Sequence, residues 1–184
     1  MKPKLVMLDR DGVLNRDRPD SVKSPAELEM LDGVGKAVAR LNHNGCRVVL
    51  VSNQSIVGRG IISGEMLELI HRHLTDRLAR DGAKLDALFV CTDRPGPPSP
   101  RRKPSPGMLI EALRQFGTAP HEAVMIGDDL RDLQAAAAAG CARILVRSGK
   151  GAATQAAGLP AEVLPVAVYA DLPAAVEALL TEQV

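Results

Sequence analysis

The chain has 184 residues, 46% of them hydrophobic and 24% charged, with a formal net charge of +1. That length suits one domain over 1–184 with a sizeable core, and the near-zero charge excludes a global basic field for nucleic acid or a membrane surface. Aromatic residues make up only 2%, with no Trp, so the core must be aliphatic and stacking platforms for single-stranded nucleic acid are nearly missing.

The first element is the apolar run Lys4–Leu8, which leads straight into Asp9-Arg10-Asp11-Gly12-Val13. Such a run followed by Asp-x-Asp-Gly reads as a buried strand ending in a tight turn, and Asp-Gly alone is ordinary turn chemistry. Ser24-Pro25-Ala26-Glu27 has capping-box spacing with Pro at the first helical position. A helix follows near Val34–Leu41, then the strand Val48–Val51 and a longer helix over Ser63–Arg80 with Met66, Leu67, Ile70, Leu74 and Leu78 on one stripe. Next come a strand Ala87–Cys91, a helix Pro106–Phe116 opened by Ser105-Pro106, and a strand Ala123–Ile126. A helix Leu130–Ala139, a strand Ala142–Val146, a weak strand Val166–Tyr169 and a final helix Leu172–Leu180 complete the chain. Strands that read as continuous apolar runs are covered on both faces. The expected fold is α/β, a doubly wound and mostly parallel sheet.

No window approaches the roughly 18 apolar residues of a spanning helix, and Met1-Lys2-Pro3-Lys4 lacks a signal-peptide core. Cys46, Cys91 and Cys141 are odd in number and far apart, which points to reduced thiols and a cytoplasmic protein. Cys141 reads as a small core residue. The loop Asp93–Pro106 is stiffened by prolines. His43, His71, His73 and His121 have no ligand-like spacing and are expected to be solvated. Val57–Gly60 reads as a mobile loop whose Arg59 is a candidate substrate contact. Gly149-Lys150-Gly151 lacks P-loop spacing and reads as a surface loop, or as a hold for a second phosphate.

Four polar clusters follow expected strands: Asp9/Asp11, Ser52-Asn53-Gln54-Ser55, Arg102-Lys103 and Gly127-Asp128-Asp129. Parallel strands bring such clusters to one edge. Acid, hydroxyl and amide, base and acid together support phosphoryl transfer. Asp9, Asp128 and the main-chain carbonyl of Asp11 are hard oxygen ligands suited to Mg²⁺. Lys103 would offset charge on phosphoryl oxygens, while the Ser52 hydroxyl and the Asn53 amide proton donate to them. Asp9 would attack phosphorus and Asp11 would move the proton.

Asp9-x-Asp11-Gly-Val, Ser52-Asn53-Gln54, Lys103 and Gly127-Asp128-Asp129-x-x-Asp132 resemble, in order, the four motifs of the haloacid dehalogenase superfamily. Asp-Arg-Asp-Gly-Val-Leu-Asn, Ser-Asn-Gln-Ser and Arg-Lys-Pro-x-Pro-Gly-Met are similar to its heptose 1,7-bisphosphate phosphatase and histidinol-phosphatase branch, with Asn15 and Ser55 favouring the heptose side. The resemblance implies a capless, cytoplasmic and monomeric Mg²⁺-dependent phosphatase of a small phosphorylated sugar, with no nucleic-acid or membrane partner. That sugar would be a precursor of nucleotide-activated heptose for lipopolysaccharide or another glycoconjugate. It makes the segment Asp17-Arg18-Pro19-Asp20 and the residues Asn53, Gln54, Ser55, Arg102 and Asp129 substrate-facing.

The chain departs from that branch at its zinc loop, Cys-x-His…Cys-x-Cys. Cys91 stands at the first position, but Thr92-Asp93 and Ser99-Pro100-Arg101 follow, and one Cys with one Asp cannot close a four-ligand site. Zinc is therefore not expected. A histidinol-phosphate or broader metabolite phosphatase is the nearest alternative. A receiver-like signalling module would need its acceptor Asp on a middle strand, where this chain has Ser52. A silent binding module has against it that every residue the chemistry needs is present.

Overall fold

The computed structural model describes residues 2–181. Six strands form one sheet: β1 Leu5–Leu8, β2 Arg47–Asn53, β3 Ala87–Cys91, β4 Ala123–Gly127, β5 Ala142–Val146 and β6 Ala167–Tyr169. Their order is β3-β2-β1-β4-β5-β6 and every pairing is parallel. Seven helices accompany them among the described residues: α1 Val34–His43, α2 Ser55–Gly58, α3 Gly64–Ala79, α4 Gly107–Gln115, α5 Leu130–Ala138, α6 Gly151–Ala156 and α7 Leu172–Thr181.

The period-2 alternation of each strand divides the core into two layers. Val6, Leu8, Val48, Leu50, Val124 and Ile126 face α1, α3 and α7. Leu5, Met7, Val49, Val51 and Met125 face α4 and α5. Each such side chain taken fully out of water contributes roughly 2 kcal/mol. The chain winds outward from β1 to β3, then returns to place β4 on the other side of β1. That reversal opens a crevice at the carboxyl ends of β1 and β4, where doubly wound sheets bind ligands. Among the described residues no inserted domain covers it.

Several expectations are corrected. Ser24–Glu27 opens no α-helix: Pro25–Glu27 is a single 3₁₀ turn, and the Glu27 carboxylate accepts from Lys23 N at 2.8 Å. Pro106, not Ser105, is the N-cap residue of α4, and no side chain caps it. The segment Val57–Gly60 is anchored, because Val57 and Gly58 lie in α2 and Arg94 Nε donates to the Gly58 carbonyl. Strand β2 continues through Ser52 and Asn53, which puts both in the sheet edge itself.

Candidate active site

Asp9 follows β1, Lys103 lies in the loop after β3, and Asp128 and Asp132 flank the start of α5 after β4. Lys103 is 2% exposed, and its ammonium is saturated. Nζ lies 2.6 Å from Asp132 Oδ1 and 3.1 Å from Asp9 Oδ1, and donates to the Val51 carbonyl at 2.7 Å. Burying an ammonium disfavours its charge, but the two carboxylates outweigh this and raise the Lys103 pKa. Asn53 fixes the lysine from below: its Nδ2 donates to the Lys103 carbonyl at 2.9 Å and its Oδ1 accepts from Lys103 N at 3.1 Å. The Asn53 side chain is thus spent on positioning Lys103.

Burial pushes Asp9 up to about 6 against the pull of Lys103, with Asp132 and Asp11 adding repulsion. Asp11 goes the other way. Burial raises it, but the Arg10 charge and hydrogen bonds from Asn15, Gln54 and Arg10 bring it below the usual carboxylate range. Asn15 Nδ2 and Gln54 Nε2 each donate to Asp11 at 2.9 Å, and Gln54 Nε2 also donates to Ser52 Oγ at 2.9 Å. Gln54 and Ser52 are buried, so Gln54 holds Asp11 and the Ser52 hydroxyl sits within that network.

Asp128 is pushed up to about 8 by burial and then by the charge of Asp9, against the Lys150 backbone N–H that it accepts at 2.8 Å. Gly12 (φ 82°) and Gly149 (φ 57°) make this approach possible, because a Cβ on either would stand 2.0 or 2.1 Å from Asp128 Oδ2. The Gly149–Gly151 loop is therefore packed into the site rather than loose on the surface.

Among the described residues, Asp9, Asp128 and Asp132 bring carboxylate oxygens within 4.8 Å of one another. Both Asp132 oxygens are already engaged, Oδ1 by Lys103 and Oδ2 by Asp129 N at 3.1 Å. Asp9 and Asp128 remain as two adjacent, poorly compensated carboxylates. These two carboxylates are hard oxygen donors that fit a divalent cation such as Mg²⁺.

These groups border a cavity of about 240 Å³. Of the expected substrate-facing residues, Asp17, Asn53, Ser55, Arg102 and Asp129 line it. Gln54 and Asp20 do not; Asp20 faces solvent and pairs with Lys23 and Arg18. Asp129 is not free for a ligand, because Arg131 holds it in a fork at 2.7 and 3.0 Å while its Oδ1 caps α5. Burial raises the Asp129 carboxyl, but these contacts take it down to about 2. Arg59 is exposed and lies outside the cavity lining. Arg18, from the expected substrate-facing segment, and Lys150, from the loop offered as a hold for a second phosphate, also line it, and Arg131 joins them from α5; Lys150 pairs with Asp17 at 3.3 Å.

One further reading changes. His71 is buried, not solvated, and Arg10 Nη1 donates to its Nε2 at 3.3 Å. In the proline-rich loop, Ser99 Oγ donates to Asp93 Oδ2 at 2.5 Å and accepts from Arg102 N at 3.0 Å, with Cys91 Sγ 3.9 Å away. Hydrogen bonds among Cys91, Asp93 and Ser99 thus bridge the loop from which Arg102 and Lys103 extend.

Comparison with known proteins agrees with this geometry. Residues 100–175 match the HAD-hydrolase-like family model. The chain is 43% identical over 180 residues to the D-glycero-beta-D-manno-heptose-1,7-bisphosphate 7-phosphatase of Bordetella bronchiseptica, covering 97% of this chain and 99% of that one. It is also 36% identical over 148 residues to the D-glycero-alpha-D-manno-heptose-1,7-bisphosphate 7-phosphatase of Mycobacterium bovis, covering 77% of this chain and 78% of the relative. A crystal structure of the Bordetella bronchiseptica D,D-heptose 1,7-bisphosphate phosphatase, complexed with magnesium and phosphate, superposes with a TM-score of 0.92 over 97% of this chain and 99% of that one. The chain belongs to the haloacid dehalogenase-like hydrolases, in the group that includes these heptose bisphosphate phosphatases.

Proposed function

We infer that this chain is a Mg²⁺-dependent phosphatase that removes the 7-phosphate of D-glycero-D-manno-heptose 1,7-bisphosphate through an aspartyl phosphate. One observation carries the reading. The Asp9–Lys103–Asp132 triad and Asp128 meet at the sheet's switch point, in a chain 43% identical along almost its whole length to a heptose bisphosphate phosphatase.

When bound, Mg²⁺ supplies charge neutralisation between the phosphate and the acids that approach it. Asp9 and Asp128, with the Asp11 carbonyl, would hold it. Lys103 orients Asp9 and keeps a positive charge beside the phosphoryl group. Asp9, held through its Oδ1 by Arg10 N at 2.7 Å and by Lys103, presents its carboxylate for in-line attack on phosphorus. The P–O bond to the sugar breaks and Asp11 delivers the proton to the leaving oxygen. The resting Asp11 is ionised; it takes up the proton it delivers from solvent as the arriving phosphate dianion raises its proton affinity. Asp11 then takes a proton from the water that attacks the aspartyl phosphate, and inorganic phosphate leaves.

Arg18, Arg102, Arg131 and Lys150 give the outer cavity a cationic side suited to the second phosphate of a bisphosphate. Residues 1–184 would work as one phosphatase unit, a monomer in the cytoplasm. Among the described residues no helix is long and apolar enough to cross a membrane. The free cysteines Cys46, Cys91 and Cys141 and the scattered exposed apolar residues Ile61, Leu69, Leu88 and Leu164 support that placement.

Phosphate release from both heptose 1,7-bisphosphate anomers, fructose 1,6-bisphosphate and histidinol phosphate tests the reading. Preference for one heptose anomer by at least about tenfold in kcat/KM is the expected result, a difference of roughly 1.4 kcal/mol. Equal activity across the panel, or preference for histidinol phosphate, overturns the substrate assignment.

A further inference from the structure

Arg10 is a full cation with 0% exposure, set in the chain between the two reacting acids. Its guanidinium is held from two sides. Toward the cavity, Nη2 lies 3.0 Å from both oxygens of Asp11, and Nε adds a contact to Oδ1 at 3.3 Å. Toward the core, Nη1 donates to Nε2 of His71 at 3.3 Å. A guanidinium can only donate, so Nε2 must be the acceptor and the imidazole proton must sit on Nδ1. Burial and the Arg10 charge push His71 down to about 4, which keeps it in that neutral form near neutral pH.

His71 comes from α3, which packs on α1 and on the 3₁₀ turn Pro25–Glu27 and supplies none of the four clusters above. Asp11 thereby receives Arg10 on both oxygens, Asn15 on Oδ1 and Gln54 on Oδ2. Asn15 and Gln54 lie close in sequence to the motifs; among the described residues only His71 ties the carboxylate, through Arg10, to α3. Without an acceptor at that point, one end of the buried guanidinium would lose its partner and could pivot.

We propose that His71 and Arg10 are positioning residues, a relay in which α3 fixes the guanidinium and the guanidinium fixes the Asp11 carboxylate for proton transfer. The proposal rests on the aspartyl-phosphate reading above and adds two residues to it that touch neither substrate nor metal. A misplaced base slows the step that needs it, and a displacement of about 1 Å is worth roughly 100-fold.

p-Nitrophenyl phosphate separates this from a loss of fold, because nitrophenolate leaves without a proton while hydrolysis of the aspartyl phosphate still needs Asp11. His71→Leu should keep a fast nitrophenolate burst of about one equivalent per enzyme, then turn over roughly 100-fold more slowly than wild type. His71→Gln, whose amide oxygen can accept from Arg10, should restore turnover to within about threefold. Arg10→Lys keeps the charge without the fork and should resemble His71→Leu. Parallel loss of burst and turnover, or unchanged kinetics in His71→Leu, overturns the proposal. Asp11→Asn serves as the reference: if it shows no burst, the aspartyl-phosphate reading itself has failed rather than the relay.

Discussion

Gly12→Ala puts one methyl group between the two halves of the site. The built Cβ lies 2.0 Å from Asp128 Oδ2, 2.6 Å from its Cγ and 3.1 Å from the Gly149 Cα. Contacts to a Cβ below about 3 Å do not occur, so the Asp128 carboxylate must retreat by roughly 1 Å. It cannot retreat freely, because its other neighbours are the Lys150 N–H and the Gly149 backbone. A residue with a side chain also pays about 1–2 kcal/mol to hold the φ of 82° seen here. A shift of about 1 Å in a ligand and charge carrier of the reaction is worth roughly 100-fold in rate, or about 2.7 kcal/mol of barrier. The variant should therefore lose about 1–2 kcal/mol in urea unfolding and about 100-fold in kcat/KM for heptose bisphosphate, and should need more Mg²⁺ for half-maximal activity. Initial-rate phosphate release across a Mg²⁺ titration, alongside urea curves, measures all three. Near wild-type turnover at saturating Mg²⁺ with only the stability loss would falsify the argument that Asp128 must stand where the structure puts it.

Other expectations follow from the same contacts. Lys103→Met leaves Asp9 and Asp132 buried without their cation and should cost about 3–5 kcal/mol in denaturant unfolding; adding Asp132→Asn should recover part of that stability and none of the activity. Asp9→Asn should abolish phosphate release while circular dichroism shows an intact fold, and retained activity would exclude Asp9 as nucleophile. His71 has a folded pKa near 4 against 6.5 when unfolded. Below about pH 6.5 the unfolded chain binds a proton that the folded chain does not, so stability is full above that pH and falls as pH drops toward 4. Between about pH 7.5 and pH 5 the loss is about 2 kcal/mol, and urea curves of His71→Gln should lack that share of the slope. Ser99→Ala removes the bridge from Asp93 to the Arg102 backbone and should raise KM about fivefold with kcat nearly unchanged, since Asn53 still holds Lys103. Stoichiometric zinc in the purified protein would contradict that account of the loop.

The strands were legible because a strand buried on both faces leaves an unbroken apolar run, and each run from Lys4–Leu8 to Ala142–Val146 falls on an observed strand to within one or two residues at either end. The final helix was legible for the complementary reason, an apolar segment long enough to show a helical period. Helices α2 and α6 were not, since four and six residues are too short to show a stripe, and α6 is mostly Gly and Ala. The N-terminal capping signal misled for a local reason. Glu27 met the Lys23 backbone instead of its own turn, and the chain beyond it pairs Met30 with Asn15 rather than continuing a helix.

At the site, residues named for direct contact with substrate proved to be divided by geometry. Asn53 and Gln54 stand in a motif beside Ser52, and sequence spacing cannot distinguish a side chain that meets the ligand from one that holds its neighbour. Their amides go to the Lys103 backbone and to Asp11. Asp132 carried no assigned role, although its spacing of four from Asp128 puts both on one side of the α5 start. His71 was the avoidable error. Leu67, His71, Leu74 and Leu78 follow the i, i+4, i+7, i+11 pattern of one buried face. A His in that stripe has to find a polar partner inside, and the fully buried Arg10 is that partner. No local signal marks Arg10, because a guanidinium between two surface-forming acids reads as solvated until the sheet places α3 behind it. The chemistry of the motifs was therefore readable from residue type and order. The parts that hold the motifs still were not, since they depend on which distant helix the fold brings to the back of the site.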